Sequence, residues 1–299
     1  MKKSQRERID RFTSPYRVTS GKGFRLKDVD PGDTAHLKSE DKAEAKEMLA
    51  RGVEWLAEEQ DKLYAQDHWA VLLVFQAMDA AGKDGTIKHV TSGINPQGCT
   101  VTSFKQPSSE ELDHDYLWRY MRNVPARGQI GIFNRSYYEE LLVVKVHQEL
   151  LAGQKMHPSL VTKKIWDERY EDISNYEKYL SRNGVVVLKF FLHVSKAEQK
   201  RRFMERLDNP EKNWKFSSSD VAERGHWKDY QEAYEEAIRN TASKEAPWYV
   251  VPADNKWFTR VVVAAAVVDA MAGLKLHYPV VGPGKRKELA AARRSLNAE

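Results

Sequence analysis

Residues 69 to 86 read Trp69-Ala70-Val71-Leu72-Leu73-Val74-Phe75, continuing without a break into Gln76-Ala77-Met78-Asp79-Ala80-Ala81-Gly82-Lys83-Asp84-Gly85-Thr86. The first seven form a near-continuous apolar run, the pattern of a strand buried on both faces of a parallel sheet. The segment from Gln76 to Thr86 has the ingredients of a phosphate loop. Small residues let backbone N–H groups turn inward, a lysine can reach outer phosphates, and a helix expected over Ile87 to Val90 stands behind them. Against the pattern G-x-x-x-x-G-K-[ST], Ala77 replaces the first glycine and Asp84 replaces the hydroxyl that would meet Mg2+. An ordinary strand-to-helix turn, with Gly82 and Gly85 relieving backbone strain, is the competing reading; the placement directly after a buried strand favours the phosphate loop. Asp79 is out of character there, because a carboxylate repels phosphate unless a cation lies between them. A Mg2+ ligand, direct or through water, is the economical explanation. The alternative is an Asx-turn residue bonding the loop backbone.

Working outward, short runs of strand character recur at Cys99 to Phe104, Gln129 to Phe133, Val185 to Val194 and Trp248 to Val251. Helix-length segments separate them. Ser108 with Glu111, Ser136 with Glu139, Ser195 with Glu198 and Asp220 with Glu223 each place a capping residue three positions before a glutamate. Strand and helix in alternation predict βαβ units, hence an α/β fold with a parallel sheet and helices on both faces. Before the first strand, Ala43, Leu49, Val53, Leu56 and Leu63 fall on one face of a helix over 41 to 63. Residues 1 to 40, with Gly21, Gly23, Pro31 and Gly32 and no helical period, read as an extended N-terminal arm able to pack on the body or on a neighbour. The expected organisation is that arm, a main domain over 41 to 275, and a basic C-terminal tail over 276 to 299. No internal repeat is evident.

Composition narrows the function classes. The longest apolar run, Val261 to Val268, is far short of the ~20 residues that cross a bilayer, and the basic N-terminus is followed by no apolar stretch, so no membrane association and a cytoplasmic location are expected. One cysteine, Cys99, excludes an intrachain disulfide and a multi-cysteine metal site. A net charge of +5 is mild, but its distribution is uneven. Residues 1 to 31 hold nine basic and four acidic side chains, and Lys196 to Lys215 hold seven and four.

In open α/β sheets chemistry lies at the carboxyl ends of the strands. The third strand ends Gly131-Ile132-Phe133-Asn134-Arg135-Ser136-Tyr137-Tyr138-Glu139, which puts Arg135 at that edge. Its planar fork suits an acceptor phosphate, and a surface arginine paired with a carboxylate is the plainer alternative.

These residues resemble the polyphosphate kinase 2 family, whose members look like thymidylate kinases in fold. The resemblance spans roughly residues 40 to 275. It rests on four motifs in order: the loop Met78 to Thr86, Asn95-Pro96-Gln97-Gly98, Phe133-Asn134-Arg135-Ser136, and Asp208-Asn209-Pro210-Glu211-Lys212-Asn213-Trp214-Lys215. It accounts for both departures in the loop, since D-A-A-G-K is the family's hallmark. Where classes I and II carry D-R-S-W-Y-N, this chain has Asn134, Tyr137 and Glu139 at the differing places. That pattern resembles class III, which uses inorganic polyphosphate to convert AMP to ADP and ADP to ATP.

The resemblance implies a P-loop kinase-like domain with a helical lid at about 200 to 225. It also implies a phosphoryl transfer in which the protein aligns donor and acceptor and neutralises charge. Asp79, Lys83 and Arg135 are the expected catalytic residues, with Mg2+ or Mn2+ at Asp79. Ala80, Ala81, Gly82, Asp84, Gly85 and Thr86 form the phosphate-binding loop. Asn134, Glu139, Arg119 and Arg122 are assigned to the acceptor nucleotide, although Arg119 and Arg122 also fit a solvated helix face and Glu139 a capping box. Polyphosphate is a flexible polyanion without bases, so it calls for a basic channel; Arg201, Arg202, Arg206, Lys212 and Lys215 would supply one on a lid that closes over the donor. Trp214 is expected to anchor that lid on the body. Polyphosphate, AMP, ADP and ATP are the expected partners, with a homodimer or homotetramer and no nucleic acid. An ATP-dependent nucleoside or nucleotide kinase of the same fold is the alternative function, and a nucleic-acid-binding module using the same basic stretches is a third.

Overall fold

The apolar run becomes β2 (Ala70–Ala77), a strand buried along nearly its whole length at the centre of a six-stranded sheet. Its neighbours are β4 (Ile130–Asn134) and β5 (Val185–His193), with β3 (Cys99–Ser103) outside β4 and β6 (Trp248–Pro252) outside β5. These five run parallel, and β1 (Arg17–Val18) pairs antiparallel with β6 at the far edge. This computed structural model describes the backbone of residues 3–299 and their side chains apart from those of residues 3–5, 39 and 215. From β2 the chain moves out to β3, returns to β4 beside β2, then crosses to β5 and β6 on the other side. Such a reversal opens a crevice at the carboxyl ends of the strands, where a ligand can sit. The phosphate loop and Arg135 both emerge there.

Helices α1 (Lys3–Thr13), α2 (Lys42–Gln66), α3 (Lys83–Val90) and α11 (Lys256–Gly273) form one layer. On the other face α7 (Ile165–Arg182) packs against α10 (Trp227–Thr241). Side-chain alternation on β5 divides the core between the layers. Phe190 stacks with Phe75 and Tyr249, with ring centroids 4.9 and 5.4 Å away, while Phe191 turns onto Tyr234 of α10 at 3.9 Å. Three short helices, α4 (Ser109–Leu112), α5 (Trp118–Met121) and α6 (Val143–Val146), border the crevice. Above it lie α8 (Lys196–Asp208), a tight turn over Pro210–Lys215 and α9 (Ser218–Glu223). The chain ends in α12 (Pro283–Leu296), which buries none of its residues.

Several local expectations are corrected. The first forty residues are not simply extended, since they include α1; of the two packings open to them they take the one on the body, where Phe12, Tyr16 and Leu26 are buried. Phe12 and Tyr16 pack edge-on against Phe258 of α11, so the glycines and proline mark turns in a packed segment. β3 is an edge strand of mixed polarity, with Val101 half exposed. Ser108 and Glu111 do form a reciprocal capping box. Asp220 lies inside α9, whose cap is Ser217. Ser136 leads into a tight turn over Tyr137–Leu141, and its Oγ accepts from Tyr138 N. The Glu139 N–H donates to Ser136 O at 2.9 Å, but its carboxylate does not complete a capping box.

The Asn95-Pro96-Gln97-Gly98 motif lies before β3, at the end of the sheet remote from the loop. Asn95 N donates to Gln60 Oε1 of α2, and a Cβ on Gly98 would come within 1.9 Å of Gln60 Nε2. The motif docks the entry to β3 on α2, and a side chain at position 98 would have to displace the end of Gln60.

Candidate active site

The loop between β2 and α3 is shaped by two residues with positive φ. Ala80 (φ 60°) adopts the left-handed conformation within a turn closed by Ala81 N donating to Met78 O at 3.2 Å, and Gly82 (φ 106°) leads into α3. A left-handed alanine costs about 1 kcal/mol or more, and the surroundings supply what holds it. Arg202, only 3% exposed, lies behind the loop and uses all five of its N–H groups. Nη1 donates to Ala80 O (3.0 Å) and Ala81 O (2.7 Å), Nη2 to Ala253 O (2.6 Å) and Asp254 O (3.1 Å), and Nε to Glu198 Oε1 (2.7 Å). Gln199 Nε2 donates to Asp79 O at 2.9 Å. With the carbonyls of residues 79 to 81 taken up by α8, that side of the loop is committed to the protein, which leaves its N–H groups, apart from that of Ala81, for an anion. This corrects the assignment of Arg202 to a polyphosphate channel.

Lys83 opens α3, and its Nζ donates to Ala77 O at 2.9 Å. Burial pushes its pKa down, opposed by the nearby Asp79 carboxylate. Asp84 is exposed at the end of the loop and accepts from Asn134 Nδ2 at 2.8 Å. Thr86 is buried under the first turn of α3.

Arg135 also carries a positive φ (66°), fixed by its N–H donating to Phe75 O of β2 at 3.0 Å. This non-glycine outlier turns the side chain toward the loop, where Nη2 stands 3.5 Å from Asp79 Oδ1 and Nη1 3.8 Å from Glu139 Oε2. Glu139 is the largest influence raising the Arg135 pKa, with Asp79 adding to it. Glu139 Oε1 accepts from Gln76 Nε2 at 2.9 Å, so its carboxylate belongs to the site instead of a helix cap. Among the described residues no backbone group bonds the Asp79 carboxylate, so the Asx-turn alternative is not realised.

Arg135 stands where two cavities meet. One, of about 250 Å³, is lined by Asp79, Arg135, Glu139, Gln199, Asp220 and Tyr230. The other, of about 560 Å³, is lined by Lys105, Arg119, Tyr120, Leu150 and Gln154 among others, and shares Arg135, Glu139, Val143 and Glu223 with the first. Its lining mixes apolar side chains with Lys105, Arg119 and Arg135 and with four glutamates, so a nucleotide would find apolar surface for a base and cations for its phosphates. Arg119 lies in this wall, donating to Lys105 O at 2.9 Å and paired with Glu111 at 3.2 Å. Arg122 is not brought beside it: it is exposed and stacks over Trp118 with its guanidinium 4.6 Å from the ring centroid. That position fits the solvated helix face.

The lid is less cationic than its composition suggests. Arg201 forks onto Glu198, Lys212 pairs with Glu205, and Arg206 stands 3.6 Å from Asp220. The side chain of Lys215 lies outside the described residues. Trp214 is 78% exposed, so it does not anchor the lid in the core. Asn209 caps the turn after α8 and Asn213 Nδ2 donates to Arg206 O and Leu207 O, which gives the long motif a turn-forming role.

Among the described residues no group of three or more His, Cys, Asp or Glu is placed to hold a metal. A divalent cation fits nonetheless, because Mg2+ binds through one or two carboxylates and takes its other oxygens from phosphates and water. Asp79 and Asp220 are hard oxygen donors in one cavity, and the Asp220 pKa is raised by burial and then by Asp79. Asp220 carried no functional signal in the sequence because it matched a capping pattern. Lys105, Gln76, Gln199 and Glu223 were also missed, since each depends on contacts between distant segments.

Comparison with known proteins agrees with this geometry. The family described as Polyphosphate kinase 2 (PPK2) matches residues 38–278. An ADP-polyphosphate phosphotransferase from Rhodopseudomonas palustris is 52% identical over 258 residues, covering 86% of this chain and 89% of that protein. An AMP/ADP-polyphosphate phosphotransferase from Meiothermus ruber is 46% identical over 266 residues, covering 88% and 94%. The crystal structure of Polyphosphate Kinase 2 from Arthrobacter aurescens TC1 aligns with a TM-score of 0.83 at 39% identity, covering 93% of this chain and 95% of that one.

Proposed function

The chain belongs to the polyphosphate kinase 2 family and is a phosphotransferase, and from that premise we propose that it transfers a phosphoryl group from inorganic polyphosphate to AMP and ADP, forming ADP and ATP. The observation that carries this reading is the placement of Arg135 and Glu139 where the loop cavity meets the larger one. A donor phosphate on the loop and an acceptor phosphate in the larger cavity both come within reach of Arg135. Its guanidinium can bridge both in the transfer geometry, and Lys83 adds positive charge on the donor side. Arg119 and Lys105 hold the acceptor nucleotide.

Mg2+, or Mn2+, would be held by Asp79 and Asp220 with donor phosphate oxygens, and would neutralise charge on the transferring group when bound. The carboxylates also set the cationic residues: Glu139 and Asp79 aim Arg135 while the phosphates are absent. Use of AMP as well as ADP is supported by Asn134 and Glu139 at the class-distinguishing positions and by the Meiothermus ruber relative, which is named an AMP/ADP-polyphosphate phosphotransferase. A cytoplasmic location and a homodimer or homotetramer complete the proposal. It is tested by a time course with Mg2+, polyphosphate and AMP. ADP is expected first and ATP second. Phosphorylation of ADP alone would remove AMP from the proposal, and no product from either would overturn it.

A further inference from the structure

Among the described residues the basic side chains on the lid are largely paired with carboxylates, whereas on α12 only Lys285 is, and Arg286 Nε donates to Val281 O at 2.9 Å. Residues 276 to 299 hold Lys285, Arg286, Lys287, Arg293 and Arg294 against Glu288 and Glu299, and so account for three of the chain's five net positive charges. Every residue from 277 to 299 is exposed. Arg286 and Arg293 are seven apart, as are Lys287 and Arg294, so the four share one face over two turns, about 10 Å. Lys285 pairs with Glu288 on the helix itself. A 14-residue helix that buries none of its residues is marginal in water, which favours a partner that neutralises the stripe.

We propose that α12 is a second docking site for the polyphosphate donor, a cationic strut that holds a distal part of a long chain while its end reacts at the loop. The inference rests on polyphosphate being the donor, and charge complementarity carries it. The root of the tail is fixed beside the C-terminus of α2, where Tyr278 donates to Asp61 at 2.6 Å and Gln66 Nε2 lies 3.3 Å from His277 Nδ1. That is the amino end of β2, the opposite end of the sheet from the loop. Eight residues of strand separate the two ends by about 26 Å. Tripolyphosphate is too short to bridge that span, whereas a long chain can engage both sites, and the linkage raises its effective concentration at the loop.

The test compares the full chain with a variant carrying Arg286→Gln, Lys287→Gln, Arg293→Gln and Arg294→Gln. Glutamine preserves helix propensity, and all four substituted side chains are exposed, so the fold is retained. The KM for long-chain polyphosphate is expected to rise about tenfold or more, with the KM for tripolyphosphate and for ADP unchanged. Equal KM values for the long chain in both proteins would overturn the inference. So would a loss confined to oligonucleotide binding, or a change in sedimentation with donor KM unaltered, which would assign the helix to nucleic acid or to a second copy. Absence of turnover with either polyphosphate in the unsubstituted protein would instead contradict the proposed function, so the two failures are distinguishable.

Discussion

Asp79, Lys83 and Arg135 sit within one cluster of charge, and each has a separate electrostatic part. Removing a main stabiliser of transition-state charge costs ~10²-fold or more in turnover, so Asp79→Asn and Lys83→Ala should each lower kcat by that factor with unchanged thermal stability. Near-normal kcat and Mg2+ dependence in Asp79→Asn would remove its metal role. Glu139 makes no capping bond, and its carboxylate faces Gln76 and Arg135. Glu139→Gln should therefore lower the ratio of kcat/KM for AMP to that for ADP about tenfold, or ~1.4 kcal/mol; an unchanged ratio would mean it serves only to aim Arg135. The loop residues were legible because an apolar run, small residues and a lysine are adjacent in the chain. Arg202 was misread because a basic residue in a charged stretch looks solvated until its carbonyl partners, some 50 and 120 positions away, are known.

At the scale of elements, α8 and the buried side of the sheet hold the site in shape. Lysine in place of Arg202 cannot reach four carbonyls at once. Arg202→Lys should cost ~2 kcal/mol or more of stability and lower kcat with little change in polyphosphate KM. A raised KM with unchanged kcat and melting temperature would return Arg202 to donor binding. The Tyr137–Tyr138 segment after Arg135 is pinned below by a buried network: both hydroxyls reach Glu177 Oε1, at 3.0 and 2.8 Å, and Lys189 Nζ lies 2.6 Å from Glu177 Oε2. Burial raises the Glu177 pKa and lowers that of Lys189, each opposed by the other's charge. Removing one partner strands the other, so Lys189→Met should cost about 3–5 kcal/mol in urea unfolding, with most of it recovered on adding Glu177→Gln. A double variant no more stable than the single would contradict that account. Lys189 inside the run Val185 to Val194 was a visible sign of a buried partner, but the partner's identity required the packing of α7 on β5.

For the whole molecule, strand and helix alternation was enough to predict the parallel sheet with helices on both faces. What the alternation could not supply was the packing of the first forty residues, whose buried Phe12, Tyr16 and Leu26 have no local period. Nor could it show how much of the lid's positive charge is already paired. The central claim is that the phosphoryl donor is polyphosphate on a fold shared with ATP-dependent kinases. It is tested most directly by incubating the protein with Mg2+, ADP and polyphosphate in the absence of ATP and measuring ATP formed. The expected result is ATP accumulation that depends on polyphosphate and is lost in Lys83→Ala; no ATP above that control, together with phosphorylation of a nucleoside or nucleotide when ATP is supplied as donor, would contradict it.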